Sequence, residues 1–257
     1  RTPLGLIPSM ATPGRVEAWA RLGILPGGPA NEQVDAVSHC LTSVDGDYVS
    51  LAKTALRMSI SCVYGSLIPL EYGQDILFGT PRPHTINFDL GLLDPSYVNI
   101  VVNGHEPFVG MALIRHCRRE DVQRYARSAG AKGVRVIGSI ESGQEILQRT
   151  ESDAVYVGMT GNWLTVEPLI ATGAVDLFAM DMNCSPPSLE EYAKNYPTTF
   201  VSVSPLVNVP GIGTHVDYLP EMVEAQAAGL TRMAVSNFRN RRGRQPHVPA
   251  RVQSAIV

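Results

Sequence analysis

Three side chains able to hold a metal, or to do acid–base work, stand just past apolar, β-rich runs. They are His105 in "YVNIVVNGHEP", Glu141 in "GVRVIGSIES" and Cys184 in "VDLFAMDMNCSPP". Together they offer an imidazole, a carboxylate and a thiolate, a donor set that suits a transition metal. Each also has a plainer reading when taken alone. His105 reads as a hydrogen-bonded loop histidine, Glu141 as an acidic residue favoured in a first helical turn, and Cys184 as buried packing. The chain contains no close ligand pair of the kind a structural zinc site uses. "NGHEPFVG" lacks the glycine spacing of a dinucleotide fingerprint, and nothing local supports a Cys–His hydrolase.

The elements that must position these residues form a regular series. Apolar runs at 98–102, 133–139, 154–158, 175–180 and 199–204 read as strands. Helical patterns at 108–129, 142–150, 163–172, 187–195 and 217–236 separate or follow them. Continuous apolar strands that alternate with helices predict an α/β fold with a parallel sheet covered on both faces. Ligands of such sheets bind beyond the carboxyl ends of the strands. His105, Glu141 and Cys184 follow the first, second and fourth runs, 36 and 43 residues apart, so all three can face one crevice.

Residues 1–92 read as a helical segment and 93–240 as a Rossmann-like α/β domain carrying the candidate ligands. Residues 241–257 read as an irregular link to a further domain. "GRVEAWARLGIL" ends at Pro26-Gly27-Gly28, and Asn31 is the expected N-cap of the next helix. In the helix that follows, Tyr48, Leu51, Ala52, Leu56 and Met58 are expected to face a core. The arginine-rich run "RNRRGR" at 239–244 reads as a solvated helix end or linker rather than a nucleic-acid patch.

The net charge is −3 and 44% of the residues are hydrophobic, which suits a chain with a substantial core and no nucleic-acid partner. No apolar run reaches the ~18 residues of a membrane helix, so no membrane partner is expected. Four cysteines without a Cys-x-x-Cys pair predict a reducing, cytoplasmic setting. The chain starts at Arg1, not at a methionine.

Longer motifs go further. "DILFGTPRP", "YVNIVVNGHEP", "GAKGVRVIGSIESGQEIL", "ATGAVDLFAMDMNCSPPSL" and "VSVSPLVNVPGIGTH", with "AWARLGILPGG" and "SVDGDYV" before them, resemble the nickel–iron–sulfur carbon monoxide dehydrogenases. The resemblance covers roughly residues 18–240. It implies an oxidoreductase that converts CO and water to CO2, two electrons and two protons. It also implies an iron–sulfur cluster with or without nickel, a ferredoxin-like electron carrier and a homodimeric parent. Family members carry cysteine-rich segments upstream and a second Rossmann-like domain downstream, so this chain resembles their middle portion.

Residue by residue, the family's ligand histidine falls on His105, in Asn-Gly-His where His-Gly-His is usual, and a ligand cysteine falls on Cys184. Where the family resembles Gly-Ile-Cys-Cys, this chain has Gly138-Ser139-Ile140-Glu141, so Glu141 takes a thiolate's place. The related hybrid cluster proteins, which are hydroxylamine reductases, use a His, a Glu and a Cys on an iron–sulfur–oxygen cluster. That makes hydroxylamine an alternative substrate and a cluster-free scaffold a further alternative. His105 and Glu141 are the expected catalytic groups. Asn103, Ser139, Asn183 and Ser204 are expected, from position, to orient the ligands.

Overall fold

The structure is a computed structural model that describes residues 3–41, 43–241 and 245–257. It divides into two compact units that meet between Thr80 and Pro81. The first is helical: α1 (Pro3–Met10), α2 (Pro13–Leu22), α3 (Pro29–His39), α4 (Tyr48–Cys62) and α5 (Ile68–Phe78). Gly28, not Asn31, caps α3, because Pro29 occupies the first helical position, where its missing N–H is not needed. Asp47 caps α4 by accepting the Val49 N–H at 3.1 Å.

The expected core face of α4 is corrected. Tyr48 is 81% exposed and Leu56 49%; Ala52 is exposed, and Leu51 and Met58 are half-buried. The helix is rotated instead by Arg57, which reaches α3 and pairs with buried Glu32 at 2.9 Å. Thr54 and Ser61, three residues before and four after Arg57, share that face and are buried.

The second unit runs β1 (Thr85–Phe88), β2 (Val98–Gly104), α6 (Phe108–Cys117), α7 (Glu120–Ser128), β3 (Val134–Ser139), α8 (Ile140–Leu147) and β4 (Tyr156–Met159). It continues with α9 (Val166–Ala171), β5 (Leu177–Met180), α10 (Leu189–Asn195), β6 (Thr199–Ser202), α11 (Val223–Arg241) and β7 (Gln253–Ile256). The seven strands lie in the order β6-β5-β2-β3-β4-β1-β7. Every adjacent pair is parallel except β1 and β7, which run antiparallel.

Two boundaries differ from the sequence reading. Thr85–Phe88 belongs to the sheet, so the helical unit stops at Thr80 and not at 92. Residues 253–256, read as an irregular link, pair with β1 along its whole length. In both strands, TINF and QSAI, polar and exposed residues interrupt the apolar ones, so neither shows the continuous apolar run that marks the other strands. The expected helix at 108–129 is two helices, broken at Arg118-Arg119.

Alternation along the buried strands splits the core between the two faces. Val98, Ile100 and Val102 face the layer of α6 and α11, whereas Val101 faces the layer of α9 and α10. In α11, Ala227, Leu230, Ala234, Val235 and Phe238 supply the apolar stripe at helical spacing.

In the run at 239–244, Arg239 and Asn240 are exposed at the helix end as expected, and Arg241 alone is corrected; Arg242, Gly243 and Arg244 lie outside the described residues. Arg241 is not a solvated helix end but is 4% exposed. Its guanidinium takes Asp176 in a two-pronged grip, Nε to Oδ1 at 2.7 Å and Nη2 to Oδ2 at 3.1 Å. Asp176 Oδ2 also accepts the Asn99 N–H at 2.8 Å. The amino ends of β2 and β5 are thereby pinned to the last turn of α11.

Arg241→Ala would strand the Asp176 carboxylate without its partner, and should destabilise the chain by about 3–5 kcal/mol. Replacing both partners with apolar residues should destabilise it less than the single change. Urea unfolding of the three proteins compares them.

Candidate metal centre

β2 lies between β3 and β5, and its register aligns Asn103 with Ser139 on one side and with Met180 on the other. The loops that follow these strands therefore leave one edge of the sheet at one height. They bring together the three residues singled out from the sequence: one donor atom each of His105, Glu141 and Cys184 lies within 4.8 Å of the others. His105 Nε2 contacts Glu141 Oε2. His105 and Cys184 are half-buried, and Glu141 is the most exposed of the three.

Backbone conformation shapes each loop. Gly104 has φ +137°, and a Cβ there would lie 1.8 Å from Asp181 Oδ1, so no other residue fits. Asp181 Oδ1 accepts the backbone N–H of His105 and, at 3.2 Å, that of Glu106; Oδ2 accepts the Ser142 hydroxyl. Ile140 holds φ +57° immediately after β3, and its N–H donates to the Gly161 carbonyl at 2.9 Å. Glu141 follows in the first turn of α8. Asn183 and Cys184 are left-handed in succession, at φ +65° and +51°. Three non-glycine residues in that region at one site are uncommon.

Asn103 forms a second tie. Its Nδ2 donates to the Cys184 carbonyl at 3.1 Å, and its Oδ1 accepts the Ser139 hydroxyl at 2.9 Å. Asn183 is exposed and its side chain makes no hydrogen bond among the described residues. Ser204 is buried and accepts the Leu206 N–H at 3.3 Å, which serves its own turn. Asp181 and Ser142 were not singled out from the sequence. The available signal was an aspartate directly after a buried strand, three residues before Cys184.

Burial pushes the Asp181 carboxyl well above the usual carboxylate range, although Ser142 and the two backbone N–H groups pull it down. Burial likewise raises Glu106. Burial first, then the nearby Glu141 and Asp181 carboxylates, push the Cys184 thiol up. The thiol must lose its proton to bind a metal, so loading releases a proton here.

The residues fit one portion of an iron–sulfur cluster. A thiol, an imidazole and a carboxylate converge, and His105 Nδ1 is buried with no hydrogen-bond partner among the described residues. A cavity of about 310 Å³ lies beside them, lined by Ile86, Phe88, Ile140, Glu141, Met159 and Ala255 among others. β1 and β7, the strands illegible in the sequence, supply Ile86, Phe88 and Ala255.

The model of the Prismane/CO dehydrogenase family matches residues 1–255. The chain is 51% identical over 239 residues to carbon monoxide dehydrogenase 2 of Methanosarcina mazei, covering 93% of this chain and 38% of that protein. It is 52% identical over 236 residues to carbon monoxide dehydrogenase of Archaeoglobus fulgidus, covering 92% and 38%. The solved structure of carbon monoxide dehydrogenase IV from Carboxydothermus hydrogenoformans superposes with a TM-score of 0.91 at 32% identity, over 100% of this chain and 39% of that one. The chain thus spans about two fifths of the relatives it matches. No helix among the described residues is long and apolar enough to cross a membrane.

Gly104→Ala should lower stability by at least about 2 kcal/mol, from the strained φ and the clash with Asp181 together. A denaturant series checks it; an unchanged midpoint would show that the β2 loop has room to move.

Proposed function

This chain belongs to the Prismane/CO dehydrogenase family, and we propose that it supplies part of the metal centre of an oxidoreductase acting on carbon monoxide. The overall reaction is CO + H2O → CO2 + 2 e⁻ + 2 H⁺. The observation that carries the reading is the convergence of His105, Glu141 and Cys184 within 4.8 Å, at the carboxyl ends of three adjacent strands. Because the chain spans about two fifths of its relatives, the activity belongs to a longer protein. That protein would supply the remaining cluster donors, the surface for a ferredoxin-like carrier and the dimer contacts.

A bound iron–sulfur cluster, with or without nickel, would supply the two-electron redox centre. The chain's own residues would hold it asymmetrically. Cys184 offers a soft, covalent thiolate donor, His105 an imidazole, and Glu141 a harder and more labile carboxylate. His105 is fixed through its backbone N–H. Asn103 steadies the Cys184 loop through its carbonyl and Ser139 through its hydroxyl. Glu141, exposed and lining the apolar cavity, is placed to take up or release a proton beside a small, weakly polar substrate.

That carboxylate also favours a second reading. A His–Glu–Cys set suits a cluster that opens at a labile ligand, and hydroxylamine reduction would follow NH2OH + 2 e⁻ + 2 H⁺ → NH3 + H2O.

Metal analysis of the full-length protein, isolated anaerobically, separates these readings. Iron with stoichiometric nickel supports CO chemistry, and iron without nickel supports the reductase. Absence of both metals would leave a cluster-free scaffold. An anomalous-difference map of the loaded protein should place metal density within bonding distance of Glu141; density remote from that carboxylate would refute its role as a ligand.

A further inference from the structure

We propose that Asp181 is the positioning residue that holds the three ligand loops together, and that it does so before any metal arrives. The inference rests on the reading of His105, Glu141 and Cys184 as cluster ligands, and deepens it. Asp181 is 4% exposed and lies in the loop that carries Cys184. One of its oxygens takes the N–H groups of His105 and Glu106, from the loop after β2. The other takes the hydroxyl of Ser142, the neighbour of Glu141 at the start of α8. A single carboxyl group therefore touches all three ligand-bearing segments.

A plainer role would be to close the turn after β2. That role needs only Oδ1 and leaves the bond from Ser142 unaccounted for. Ser142 is itself fully buried, and it belongs to the element that presents Glu141. Burying a carboxyl group is unfavourable unless its oxygens are hydrogen-bonded, and here both are. Gly104 completes the arrangement, because any side chain there would occupy the space that Asp181 Oδ1 fills. The role is one of geometry: two acceptor functions aimed at two loops from a third.

The conservative variant provides the discriminating case. In Asp181→Asn the amide oxygen can accept both N–H groups, and the amide nitrogen can donate to Ser142 Oγ. In Asp181→Leu every bond is lost while the branched outline of the side chain is kept. Hydrogen exchange on the chelator-stripped, full-length protein should show segments 103–107 and 140–144 exchanging at least about tenfold faster in Asp181→Leu, and within about twofold of wild type in Asp181→Asn. In the loaded protein, Asp181→Leu and Ser142→Ala should lose iron to a chelator about tenfold faster or more, with Asp181→Asn restoring retention.

Unchanged exchange in the leucine variant, or failure of the asparagine variant to restore it, would overturn the proposal. If Asp181→Leu does not fold, Ser142→Ala decides: faster iron loss at an unchanged melting temperature supports the tie, and unchanged loss refutes it. If the wild-type protein carries no iron, the cluster reading falls, while exchange in the metal-free protein still tests Asp181.

Discussion

The site depends on the parallel register of β2 with its two neighbours. Asn103 is level with Ser139 and with Met180, so three separate loops start from one line. A one-residue slip of β2 would turn its side chains to the opposite faces of the sheet and carry His105 away from Glu141 and Cys184. Buried groups oppose such a slip at both ends of the strand. At the amino end, Arg241 and Asn99 converge on Asp176; at the carboxyl end, Asn103 and Asp181 bridge to the neighbouring loops. Between these ends the strand is apolar and closely packed on both faces.

Strands buried on both faces announce themselves as unbroken apolar runs, and all five of the runs read from the sequence are strands of the sheet. Their order was not legible as such, but the rule that ligands gather beyond carboxyl ends was enough to pick out His105, Glu141 and Cys184. The rest failed for identifiable reasons. β1 and β7 lie at the edge of the sheet with exposed, polar residues among their apolar ones, so neither gives an unbroken apolar run. In α4 the expected apolar face lost to half-buried Arg57, which pairs with buried Glu32, 25 residues away, and with Asp35. Arg241 looked like one more charge in a basic run, because its partner Asp176 lies 65 residues away. Asp181 was invisible for the same reason: a polar residue after a strand is ordinary until its contacts across the sheet are seen.

The relatives set a frame for the centre without completing it. The TM-score of 0.91 to a solved carbon monoxide dehydrogenase shows that the fold carries over. Glu141, read as a ligand, would shift the balance of the site from donors that hold metal tightly toward one that exchanges. Its side chain borders the apolar cavity and is 46% exposed, while its Oε2 is buried against His105. As a ligand it would join exchange at the metal to access from that cavity.

The left-handed residues have a consequence of their own. Ile140, Asn183 and Cys184 each hold a backbone conformation that is unfavourable by order 1–3 kcal/mol, and each adjoins or is a candidate donor. Selection for thermostability would relax these positions first, with glycine at 140 or 183 as the easiest route, and would thereby loosen the donors. Durability and donor geometry are therefore opposed at this edge of the sheet. Lineages that value one over the other should diverge here before they diverge in the strands.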